Sequence, residues 1–121
     1  MRQRVRQDFD DVFRVPNVLS HRGTSPQTPP HPQIDILLHP SAIRTAPLLN
    51  SSKSESDVES NLDTYVQDVL TVPASLAGLP ALNVPCGQGE DGWPVGVSVV
   101  GQWGCDEFVL KAGEIVEQLR P

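Results

Sequence analysis

Residues 71–101, TVPASLAGLPALNVPCGQGEDGWPVGVSVVG, constrain the fold more than any other part of this chain. Within a small-residue segment, Pro73 stands where a helix starts and Gly78 where one ends, so a short helical turn is predicted between them. Ala81–Val84 follows as a short strand, stopped by Pro85-Cys86-Gly87. Gln88–Gly92 reads as a turn. Its Gly-x-Gly precedes a strand instead of opening a helix and lacks a following Lys-Ser/Thr, so it is no phosphate loop. Val95–Val100 alternates β-branched residues with glycine and serine and reads as a central strand.

The flanking elements are helical. Residues 2–14 predict an amphipathic helix with Val5, Phe9, Val12 and Phe13 on one face. Residues 15–33 hold five prolines and a glycine, which makes them a loop or insertion. Ile34–Leu38 predicts a short buried strand closed by His39-Pro40, and residues 50–57 a polar flexible tract. A helix is predicted over residues 58–70, capped by Ser56 or Asp57, and burying Tyr65, Val69 and Leu70. The last helix, residues 105–119, should turn Phe108, Val109, Ala112, Ile115, Val116 and Leu119 inward, with Asp106 and Glu107 suiting its N-terminal dipole. Strands of near-continuous apolar content call for a sheet covered on both faces, hence an α/β architecture. Three short strands leave open edges, so further strands are expected outside the chain and little stability is expected of it alone.

Composition limits the function classes. The 121 residues carry a net charge of −6, which argues against direct grip on a nucleic-acid backbone. Cys86 and Cys105 make no disulfide framework, and a reducing compartment is expected. His21, His31 and His39 have no metal-ligand spacing. No apolar run approaches the roughly 20 residues that span a bilayer. The N-terminus is Arg-rich for six residues but turns acidic at once, unlike a mitochondrial presequence.

Several residues invite a chemical reading. Ser51-Ser52-Lys53 could suggest a Ser/Lys nucleophile, but the tract is polar and no buried strand precedes it. Cys86 sits after a strand and before a glycine, as nucleophiles do; without a paired His, a small packed cysteine explains it better. Cys105 opens a helix, and nothing else marks it as reactive. Asp68 is a carboxylate on a helix just ahead of the small-residue segment, and on pattern alone it reads as a solvated helix-face acid.

A resemblance changes the weight of Asp68. Residues 68–87, DVLTVPASLAGLPALNVPCG, and 92–101, GWPVGVSVVG, closely resemble the C-terminal part of amidase signature enzymes, in particular the A subunits of glutamyl-tRNA(Gln) amidotransferases. The family pattern runs D-x-x-T-x-P-x-N-L-A-G-x-P-x-x-x-V-P-x-G, then G-x-P-x-G-x-Q-x-x-G, and a Cys after the second Pro is typical of the A subunits. Residues 8–13 (DFDDVF) and 34–41 (IDILLHPS) resemble the family's preceding helix and strand, with 15–33 as an insertion of fungal mitochondrial style. Two departures stand out: Ser75 where the family has Asn, and Ser98 where it often has Gln. The first exchanges an amide's donors and acceptor for one hydroxyl.

The resemblance implies a C-terminal segment of the amidase signature fold, a mixed sheet covered by helices. It divides the chain into the helix at 1–14, the insertion at 15–33 and the remaining amidase segment at 34–121. The family's catalytic Lys, cis-peptide Ser and nucleophilic Ser would precede this region, as would its carboxylate-binding Arg. This chain has no Gly-Gly-Ser-Ser-Gly stretch, so no catalytic residue is expected in it, and the isolated chain should be inactive. Asp68 is implied to hold the α-ammonium of glutamine, with Thr71 and Ser75 shaping the substrate pocket. Glutamine hydrolysis would supply ammonia to a B subunit that uses ATP and Mg, with a small accessory subunit, in the mitochondrial matrix or alternatively the cytoplasm. No cofactor, metal, nucleic-acid contact or membrane span is expected of the chain itself. An amidase for another carboxamide, or a non-catalytic truncated remnant, are the competing readings.

Overall fold

The computed structural model describes residues 1–15, 17, 33–46 and 65–120. Nearly all of the 15–33 segment, the 50–57 tract with Ser51–Lys53, and the first half of the helix predicted over 58–70 lie outside the described residues.

The element order is α1 (Arg2–Val12), β1 (Leu37–Pro40), α2 (Val72–Ala77), β2 (Ala81–Gln88), β3 (Pro94–Val100) and α3 (Asp106–Gln118). A helical turn over residues 65–68 precedes α2. The three strands form one sheet in the order β1-β3-β2, and both pairings are antiparallel. β3 is therefore central, as its run of β-branched residues predicts. Every proline in these strands sits where a missing N–H is tolerated: Pro40 and Pro85 on the edge strands, Pro94 at a strand start.

This placement corrects two expectations. β2 does not stop at Pro85-Cys86-Gly87 but runs through it to Gln88. It absorbs the interruption as a bulge, with Pro85 opposite Gly96 and Gly87 opposite Val95, leaving Cys86 as the extra residue. Likewise β1 begins at Leu37 instead of Ile34 and includes His39 and Pro40. Ile34 instead forms an isolated parallel bridge with Phe13: Arg14 N–H donates to Ile34 O at 2.8 Å and Ile34 N–H to Val12 O at 3.0 Å. Phe13 leaves the helix in extended conformation to make this bridge, so α1 ends at Val12, which is exposed.

The sheet is packed on both faces. On one face α1 and α2 bring Phe13 and Ala74 against Val100, with Phe9, Ile34, Leu37 and Leu79 around them. On the other, α3 brings Val109 against Val84 and Val99, with Ile36, Leu82, Ala112 and Val116 around them. The inner stripe of α3 is thus Val109, Ala112, Gly113 and Val116, an i, i+3, i+4, i+7 set. Phe108, Ile115 and Leu119, predicted to point inward, are 47%, 58% and 77% exposed. The reason is Gly113: it brings the helix so close to β2 that an added Cβ would stand 2.2 Å from Leu82 Cδ2. A helix that approaches through a glycine presents only the residues flanking that glycine to the sheet.

Candidate functional site

The site grows from the junction between the 65–68 turn and α2. Asp68 ends the turn, Thr71 is the N-cap of α2, and Pro73 lies in its first turn. Thr71 donates twice to the carbonyl of Asp68, from its N–H and from Oγ1, each at 3.0 Å. The carbonyl of Thr71 in turn accepts the N–H of Ser75 at 3.3 Å. The three predicted site residues therefore form one hydrogen-bonded ladder. The Thr71 hydroxyl is engaged in that ladder, whereas the Asp68 side chain is exposed.

This corrects the picture of the helix ahead of α2. Tyr65 and Val69, expected to be buried, are exposed, and Asp68 is open to solvent, as its pattern alone suggested. Among the described residues nothing covers that face. Ser75 is also exposed.

Next to Asp68 on the chain, Gln67 lines an open cleft of about 600 Å³ between the 40–46 segment and the β2–β3 pair. Ser41, Arg44, Thr45 and Asn83 line it with Gln67. Along it, Ser41 Oγ donates to Asn83 Oδ1, and Ser98 Oγ donates to Ser41 Oγ at 3.1 Å. Ser98, one of the two family departures, is buried and thus anchors the 41–46 segment to β3. Among the described residues, the buried carboxamide N and O of Gln67 have no hydrogen-bond partner. No pattern in the sequence singled out these cleft residues. They come from separate elements; Ser41 and Asn83 fell within the family motifs, but neither was singled out there.

At the far end of the same segment, Thr45 Oγ1 donates to Asp91 Oδ2, and Trp93 N–H donates to Asp91 Oδ1 at 3.1 Å. These bonds, the Thr45 hydroxyl first, hold the exposed Asp91 carboxyl below the usual range. Residues 89–92 form the expected turn, closed by Gly89 N–H to Trp93 O at 2.8 Å. Cys86 is half-buried on the bulge, with its thiol 3.4 Å from Val95 O. That is a packed, hydrogen-bonded cysteine. Among the described residues no group of three or more His, Cys, Asp or Glu could hold a metal ion, and no helix is long and apolar enough to cross a membrane.

Residues 1–110 match the Amidase family, and the chain belongs to it. Within that family the chain is similar to the A subunits of mitochondrial glutamyl-tRNA(Gln) amidotransferases. It is 48% identical to the one from Mycosarcoma maydis over 94% of this chain and 21% of that relative. It is 40% identical to the one from Emericella nidulans over 98% of this chain and 25% of that relative. Among solved structures, 6-aminohexanoate cyclic dimer hydrolase complexed with substrate superposes with a TM-score of 0.57. That pair is 26% identical over 72% of this chain and 20% of the hydrolase. The chain thus spans between a fifth and a quarter of the length of these curated relatives.

Proposed function

We propose that this chain is the C-terminal, substrate-side segment of the glutamine-hydrolysing A subunit of a mitochondrial glutamyl-tRNA(Gln) amidotransferase. The carrying observation is the 48% identity over nearly the whole chain to a protein of that name. The geometry of Asp68 supports it. A carboxylate whose backbone carbonyl is fixed by Thr71 can pair with a substrate ammonium. In this reading α2 forms the pocket wall through Thr71 and Ser75. Acyl transfer takes place on residues that the chain does not contain. Ammonia passes to a B subunit that uses ATP and Mg, with a small accessory subunit, in the mitochondrial matrix.

A chimera tests this reading: the Mycosarcoma maydis relative with its matching stretch replaced by this chain. It should release ammonia from glutamine, and Asp68→Ala should lower kcat/KM by about tenfold or more, the loss expected when a hydrogen bond to a charged group is removed. Intact glutamine turnover in Asp68→Ala would show that this residue does not recognise glutamine. Ammonia release by the 121-residue chain alone would put the catalytic groups inside it and overturn the reading. The likeness to 6-aminohexanoate cyclic dimer hydrolase favours a second reading, an amidase for another carboxamide. A chimera that cleaves such an amide but not glutamine would select it.

A further inference from the structure

A helix leaves its last four carbonyls without intrahelical donors. In α2 these belong to Ala74, Ser75, Leu76 and Ala77, and each has a partner. Gly78 adopts the left-handed conformation at φ 74. Its N–H approaches Ala74 O at 2.9 Å and Ser75 O at 3.2 Å, and Leu79 N–H donates to Ala74 O at 3.1 Å. The remaining two carbonyls are taken by α1. Arg2 Nε donates to Leu76 O at 2.9 Å, and Arg6 Nε donates to Ala77 O at 2.8 Å.

The two arginines are four residues apart and so lie on one face of α1, a turn apart. Their bonds are charge-assisted, and a cation at a helix C-terminus has the favourable sign. Phe9 and Phe13, further along the chain, pack into the core cluster that holds Ala74. Helix α1 therefore grips α2 by its apolar face and by its C-terminal carbonyls together. The other end of α2 is the ladder Asp68–Thr71–Ser75. A displacement of α2 must move Thr71, and Thr71 fixes the carbonyl of Asp68.

We propose that Arg2 and Arg6 are positioning residues: they set where α2 stands and, through Thr71, where Asp68 is presented to substrate. The role rests on the substrate-side reading of Asp68, Thr71 and Ser75. Neither arginine touches substrate. Arg6, half-buried and joined to the last carbonyl of the helix, carries the larger share.

Two measurements test it. In the Mycosarcoma maydis chimera, the Arg2→Ala/Arg6→Ala double variant should exchange the Gly78 and Leu79 amides about tenfold or more faster, as expected for lost bonds to charged donors. The β3 amides should keep their rates. Unchanged exchange at Gly78, or equal acceleration in β3, overturns the grip. In the Mycosarcoma maydis chimera, Arg6→Ala should raise KM for glutamine about tenfold with kcat nearly unchanged, and Arg6→Lys should recover most of it. An unchanged KM in an active chimera overturns the positioning role alone. A folded chimera that does not turn over glutamine with Arg6 intact overturns the substrate reading, and the positioning role with it.

Discussion

Val99 and Val100 are neighbours on one strand, are 0% and 1% exposed, and belong to different cores. Val100 faces Phe13 and Ala74 under α1 and α2, while Val99 faces Val84 and Val109 under α3. Successive side chains of a strand point to opposite faces, so one central strand ties the two halves of the segment together. Val99→Ala and Val100→Ala should each destabilise the chain by about 2 kcal/mol. Because they share no core partner, the double variant should lose close to the sum. Urea midpoints of the three variants check this; strong non-additivity would mean that the two faces are one core.

Gly113 separates two effects of opposite sign. Helix propensity alone makes Gly113→Ala stabilising by about 1 kcal/mol. The close approach to Leu82 makes it overpacked by about 1–3 kcal/mol. Leu82 is partly buried against the core cluster around Val99, and Val84 Cγ2 stands 3.3 Å from the same added Cβ, so the net effect should be a loss of about 1 kcal/mol. A raised thermal midpoint would show that α3 stands further from β2 than described.

Phe108 and Ile115 on α3, continued by Leu119 at its C-cap, form an apolar stripe that the sheet does not cover. Ile115→Glu should change the stability of the chain by less than about 0.5 kcal/mol, as surface substitutions do. Val109→Glu on the buried stripe of the same helix should prevent folding. Circular dichroism of the pair distinguishes this face assignment from the one that hydrophobic spacing alone predicts.

The Thr45–Asp91 bond ties the 41–46 segment to the 89–92 turn, and it predicts a pH dependence. Its effect is to lower the folded-state pKa of Asp91. That contribution to stability is present above the unfolded carboxylate pKa and is lost as pH falls through the lowered folded value. Thr45→Val removes the main cause, so the Asp91 titration midpoint should rise towards the ordinary range. NMR titration of the Asp91 side-chain carboxyl in both proteins measures it; an unmoved midpoint would mean that Trp93 N–H alone sets the value.

What could be read from residues alone was local. Pro73 and Gly78 delimit α2 because a missing N–H suits a helix start and a left-handed backbone suits its end. Val95–Val100 announced a central strand, and the long motif from Asp68 to Gly101 announced the family. Spacing could not tell which half of a broad apolar arc on α3 meets the sheet. That was decided by Gly113 against Leu82, a contact between residues 31 positions apart in sequence. Nor could it carry β2 through Pro85, because only the strand order shows that β2 is an edge where a missing donor is tolerated. The candidate site divides the same way. Asp68, Thr71 and Ser75 lie within eight residues and were legible as a motif, since their ladder is built from neighbouring backbone groups. Arg2 and Arg6 read only as the polar side of an amphipathic helix. Their partners Leu76 and Ala77 are more than 70 residues away, and a carbonyl left over at a helix end has no signature in side-chain chemistry.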